Sequence, residues 1–156
     1  MHAEQALSKM GIRLEPVSRS GKSVLKLRRY KNLLFVSGHA PAGKNGESFA
    51  FGRAGADITE EQAYEAAKMC AVNMLATLKD YLGDLDRIEE WVKVLGLVNS
   101  GGDFARMPKV INGFSDVIVS AFGARGRHAR SAMGSFNHES GFSVVVDAVI
   151  KIRDDL

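Results

Sequence analysis

The sequence predicts an α+β domain in the order ββαβαββ, one sheet with two helices on one of its faces. Three observations carry this. Thr59 to Leu82 has helical spacing of apolar residues behind a capping signal. Phe142 to Ile152 has strong β character at period two. Breaks at Lys31-Asn32, Asn99 to Asp103 and Gly123 cut the remainder into short strands and one more helix.

In chain order, residues 3–10 predict a short helix, and 1–11 read as an extension before a single domain whose core spans about 12–152. Val24 to Arg29 alternates apolar and basic residues, a strand with one wet face. After the Lys31-Asn32 turn, Leu33-Leu34-Phe35-Val36 is apolar on both faces and ends at Ser37-Gly38, so the two strands form a hairpin. Residues 40–56 read as an exposed loop.

Thr59-Glu60-Glu61-Gln62 is a capping box: the threonine oxygen accepts from the third helical amide, and Gln62 reaches back to the cap. Ala67, Ala71, Met74, Leu78 and Leu82 form the apolar stripe, and Gly83 ends the helix. Trp91 to Val98 is the third strand. The second helix starts near Pro108, a residue suited to the first helical position, and buries Val110, Ile111, Phe114, Val117, Ile118 and Phe122. Ala129 to Met133 is the fourth strand.

The last strand places Phe142, Val144, Val146, Ala148, Ile150 and Ile152 on one face. Ser143, Val145, Asp147, Val149 and Lys151 lie on the other. The second and third strands are also apolar on both faces. Two helices cover only one face of such a sheet, so the other calls for a second subunit.

Composition narrows the function. With 46% hydrophobic and 25% charged residues among 156, the chain is neither disordered nor a disulfide scaffold. A net charge of +3 permits an anionic substrate without requiring nucleic acid. One cysteine, Cys70, forms no internal disulfide, and with an N-terminus lacking signal-peptide character this predicts a cytoplasmic protein. Cys70 itself reads as core packing. The four histidines show no metal-ligand spacing, and there is no phosphate loop or nucleophile elbow. Arg125, Arg127, His128 and Arg130 make a basic cluster, weak as a nucleic-acid signal without interleaved aromatics.

Leu33 to Pro41, Asp57-Ile58-Thr59, Gly83 to Arg87, Val92 to Gly96, Val98-Asn99-Ser100, Pro108 to Gly113 and Gly126 to Ala132 make an ordered set of stretches. That set resembles the RidA (YjgF/YER057c/UK114) family, in particular its longer branch with the chorismate-mutase-like fold, labelled endoribonuclease L-PSP. The resemblance implies a homotrimer whose sheets line a central barrel, with helices outside. It implies three clefts between subunits, each binding a small carboxylate-bearing metabolite, and no metal or organic cofactor. The implied activity is hydrolysis of reactive enamines and imines, such as 2-aminoacrylate, to 2-oxo acids and ammonia.

The resemblance makes Arg130 the carboxylate anchor, a role its forked guanidinium suits. Asp147 stands where the family usually carries glutamate and would orient or activate water. Gly38 and His39 belong to a strand-end loop that offers backbone groups to the cleft, and Asn112 matches a helix asparagine facing a neighbouring cleft. Ser131 ranks lower, since it points to the strand face opposite Arg130. A non-catalytic metabolite binder is the rival reading. RNA cleavage has little support from a weak basic excess, and chorismate mutase activity would rest on shared fold alone.

Overall fold

The computed structural model describes residues 2–17, 23–42 and 46–154. Its capping box is formed: the Gln62 amide donates to the Thr59 hydroxyl (3.1 Å), and the Thr59 amide donates to the Gln62 side chain (2.9 Å). Helix α2 (Glu60–Leu82) follows and ends where the Gly83 amide donates to the Lys79 carbonyl. Its buried face is alanine-rich in the first half, at Ala63, Ala66, Ala67 and Ala71, with Cys70, Met74, Leu75 and Leu78. Burial pushes the Cys70 thiol far up, which leaves it inert.

Strands β1 (Leu27–Tyr30) and β2 (Leu33–His39) form the expected hairpin around Lys31, whose φ is 53°. Strand β3 (Ile88–Asn99) leads through α3 (Met107–Phe122) to β4 (Ala129–Ser135), and β5 (Val144–Ile152) closes the sheet. The strand order is β1-β2-β5-β3-β4. Only the β3–β4 pair is parallel, as a helical crossover requires.

The core lies between the sheet and helices α2 and α3. Leu34, Val36, Val94, Val98, Val144, Val146 and Ile150 come from the strands, and Trp91 packs against Phe114 and Phe122. The two helices approach closely at Gly113: a β-carbon there would sit 2.1 Å from the Tyr64 carbonyl oxygen.

The sheet's other face carries Leu33, Phe35, Leu95, Leu97, Met133, Val145 and Val149. All seven are exposed or half-buried, with Phe35 at 47% and Met133 at 60% exposure. Lys93, Ser131 and Asp147 interrupt it, and the Lys93 ammonium donates to the Ser131 hydroxyl (2.8 Å).

The stretch 40–56 is not wholly exposed, since Ala50 and Ala54 are buried in it, and two further expectations need correction. The N-terminal helix, α1 (Ala3–Lys9), is no extension outside the core, because Ala3 and Leu7 are buried in it. Polar contacts fix it: Glu4 pairs with Lys79 (2.6 Å), and the Ala3 amide donates to Asp86 (3.1 Å). The first strand also begins at Leu27 rather than Val24. Opposite that stretch β2 bulges, and Ser37 satisfies the Leu25 carbonyl with its side chain (2.7 Å). No helix among the described residues is long and apolar enough to cross a membrane.

Candidate functional site

Strand β4 forms one edge of the sheet, so Arg130 stands at the rim of the groove between β4 and α3. Its register partner, Val94, faces the helices, and Arg130 does the same. One guanidinium nitrogen, Nη1, donates to Asn112 Oδ1 (2.9 Å) and Ser115 Oγ (3.1 Å), and Nη2 donates to the Pro108 carbonyl (3.3 Å). Asn112 and Ser115 are three residues apart on α3 and so share a helix face. Every acceptor is neutral, and among the described residues no carboxylate pairs with Arg130. A half-buried cation held this way retains its full charge for an anion.

His128 completes the cluster. Its Nδ1 lies 2.7 Å from the Gly126 carbonyl, which can only accept, so Nδ1 carries the proton. Nε2, 2.9 Å from Ser115 Oγ, then accepts from the serine hydroxyl. Burial holds the His128 pKa below the ordinary histidine value, and the charges of Arg130 and Lys93 push the same way. Ser115, Val119, Arg127, His128 and Arg130 line an open cavity of about 240 Å³. The basic cluster of the sequence disperses here: Arg125 turns away to Asp86 (3.3 Å) and the Ile88 carbonyl (2.7 Å).

Arg130 and Asn112 are therefore brought together, and the other candidates stand apart from them. Two strands separate β2 from β4, a span of about 14 Å at the usual strand spacing. Gly38 sits in the β2 bulge opposite Asp147, since Val36 pairs with Ala148 and His39 with Val146. A β-carbon on Gly38 would meet Val145 at 2.7 Å, so glycine is needed for this close approach. Ser131 lies on the open face with Lys93, opposite in sense to Arg130, as strand alternation requires.

His39 is the last residue of β2 and is buried, not a loop residue. Its Nδ1 donates to the Ser37 carbonyl (2.7 Å), and Nε2 accepts from the Thr77 hydroxyl (2.9 Å). Burial lowers its pKa, so the ring is neutral near pH 7. It borders a wider groove of about 720 Å³ between β2 and α2, which Gly38, Lys26 and Asn73 also line.

Asp147 projects from the open sheet face. Partial burial raises its pKa, and Lys93 opposes the rise. The folded state thus holds the Asp147 proton more tightly than the unfolded chain does. Stability from this group is present below the ordinary carboxylate pKa and is lost as pH rises through the folded value. Asp147→Asn is therefore expected to raise the melting temperature at pH 7 and to leave it unchanged near pH 3. Melting curves at both pH values check this.

Sequence reasoning missed Ser115 and used His128 only as one of four basic residues. The available signal was position: Ser115 is three residues beyond Asn112, and His128 is two before Arg130, just ahead of β4.

A fold with this strand order, and a cation-bearing groove at the β4 edge, defines the class of the protein. Residues 12–138 match the family model described as "YjgF/chorismate_mutase-like, putative endoribonuclease", and the chain belongs to that family, the RidA family. Among individual relatives, the Trypanosoma cruzi protein TCP17 is 34% identical over 149 residues, 95% of this chain and 92% of that one. The crystal structure of Atu1372 from Agrobacterium tumefaciens, described as of unknown function, is 36% identical with a TM-score of 0.86, covering 97% of this chain and 92% of its own. A Shewanella oneidensis structure carrying the endoribonuclease description is 26% identical with a TM-score of 0.89, covering 97% and 100%.

Proposed function

We propose that the protein hydrolyses small carboxylate-bearing enamines or imines to 2-oxo acids and ammonia, at clefts completed by further copies of the chain in a homotrimer. One observation carries this reading: Arg130 is a groove-facing guanidinium supported by neutral acceptors and unpaired with any described carboxylate. A substrate carboxylate would take its remaining donors. Family membership supports the reaction class, and the uncovered apolar sheet face supports assembly.

In this reading, water attacks the imine carbon and the carbon–nitrogen bond breaks to release ammonia. Gly38 and Asp147 reach the Arg130 groove only from a neighbouring copy. The rival, a carboxylate binder without catalysis, draws on the same separation, because among the described residues of one chain no carboxylate stands beside Arg130. RNA cleavage, the activity in the Shewanella structure's description, gains nothing from a basic cluster that Arg125 has left.

The test is hydrolysis of imines generated from a panel of amino acids, with a parallel measurement of 2-oxo acid binding. Turnover by the wild type that disappears in Arg130→Ala supports the deaminase. Arg130-dependent binding without turnover on any imine makes the protein a binder.

A further inference from the structure

We infer that Ser115 and His128 form a nucleophile–base pair at the Arg130 groove, acting on small carboxylate-bearing esters by acyl transfer. This goes beyond the imine reading and does not depend on it. The Ser115 hydroxyl donates to His128 Nε2 at 2.9 Å, the reach a general base needs for the proton it abstracts. The Gly126 carbonyl fixes the opposite ring nitrogen at 2.7 Å, so the base is held in the productive tautomer by a third group.

Arg130 adds a feature that a chance serine–histidine contact lacks. Its Nη1 donates to Ser115 Oγ at 3.1 Å, placing a permanent positive charge on the atom that must become an alkoxide. The depressed pKa of His128 keeps the imidazole neutral and able to accept. The titratable and charged groups acting on His128 are Arg130 and Lys93, with Arg127 on the same cavity wall; all are cations. Arg127 is exposed on that wall and, among the described residues, has no carboxylate partner, so it can take the substrate's carboxylate.

The step balances without a cofactor. Ser115 Oγ bonds to the ester carbonyl carbon while its proton passes to His128 Nε2. The carbon–alkoxy bond then breaks, and the alcohol leaves with that proton. Water, deprotonated by His128, attacks the acyl-serine and releases the acid and free Ser115.

Diisopropyl fluorophosphate tests the pair directly, since its phosphorus is attacked by an activated serine with loss of fluoride. Peptide mass spectrometry of the treated wild-type protein is expected to show the adduct on Ser115. The adduct is absent in Ser115→Ala, and its rate falls by roughly 100-fold in His128→Gln, the usual contribution of a general base. A folded wild-type protein unlabelled at Ser115 overturns the proposal, as does a rate that His128→Gln leaves unchanged. Neither readout uses an imine, so loss of the deaminase reading leaves this result interpretable.

Discussion

Gly113→Ala is expected to lower the unfolding free energy by about 3 kcal/mol, the upper part of the range for forcing volume into a packed interior. The added methyl would lie 2.1 Å from the Tyr64 carbonyl oxygen and 3.2 Å from the Ala67 β-carbon. The nearest obstacle is helix backbone, which has no rotamer to change. Relief requires α2 and α3 to separate by about 1 Å or more, to reach ordinary contact distance. That would loosen the burial of Phe114, the next residue of α3. Alanine's better helix propensity returns about 1 kcal/mol at most. Urea denaturation of wild type and variant checks the prediction, with the midpoint moving and the slope unchanged. A loss under 1 kcal/mol would mean that the helices re-pack freely at this crossing.

Arg130→Ala is expected to reduce kcat/KM on any carboxylate-bearing substrate of the groove by roughly 100- to 1,000-fold. Two charge-assisted hydrogen bonds at about 1.5–3 kcal/mol each set the scale, discounted for the groove's openness. Stability should change little, because Asn112 and the Pro108 carbonyl lie at the surface and water replaces the lost donors. Arg130→Lys restores the charge without the fork, so an intermediate loss of about tenfold is expected. Calorimetric titration with a 2-oxo acid provides the same comparison in the absence of turnover. Equal affinity in wild type and Arg130→Ala would remove the anion site from this groove.

The sequence was most legible where one local rule decided the outcome. Thr59 and Gln62 formed their reciprocal hydrogen bonds because a capping box is complete within four residues. The period-two pattern of β5 set its buried face correctly from Val144 to Ile152, since alternation leaves only two choices, whereas Phe142 lies before the strand and is exposed. It failed where distant partners decide. Helix α1 belongs to the core because Asp86 and Lys79, far along the chain, receive it. Val24 and Leu25 carry strand residues but lie beside a bulge that ends the ladder. At the site, Arg130 and Asn112 could be chosen by family likeness, and they do meet. The Ser115–His128 contact could not, because it depends on how α3 lies along β4 and not on any spacing in the chain.

The edge position of β4 also bears on how the molecule keeps its groove. β4 is held to the sheet by the one parallel ladder, joined to β3 across α3. Parallel pairing is slightly less stable per residue than antiparallel pairing. With one ladder instead of two, β4, like the other edge strand β1, opens more readily than the central strands, so its amides should exchange with solvent sooner than those of central β3. Arg130 thus rides on an edge strand held by a single ladder. A neighbouring copy bound along this edge would slow that exchange, which couples the integrity of the groove to protein concentration.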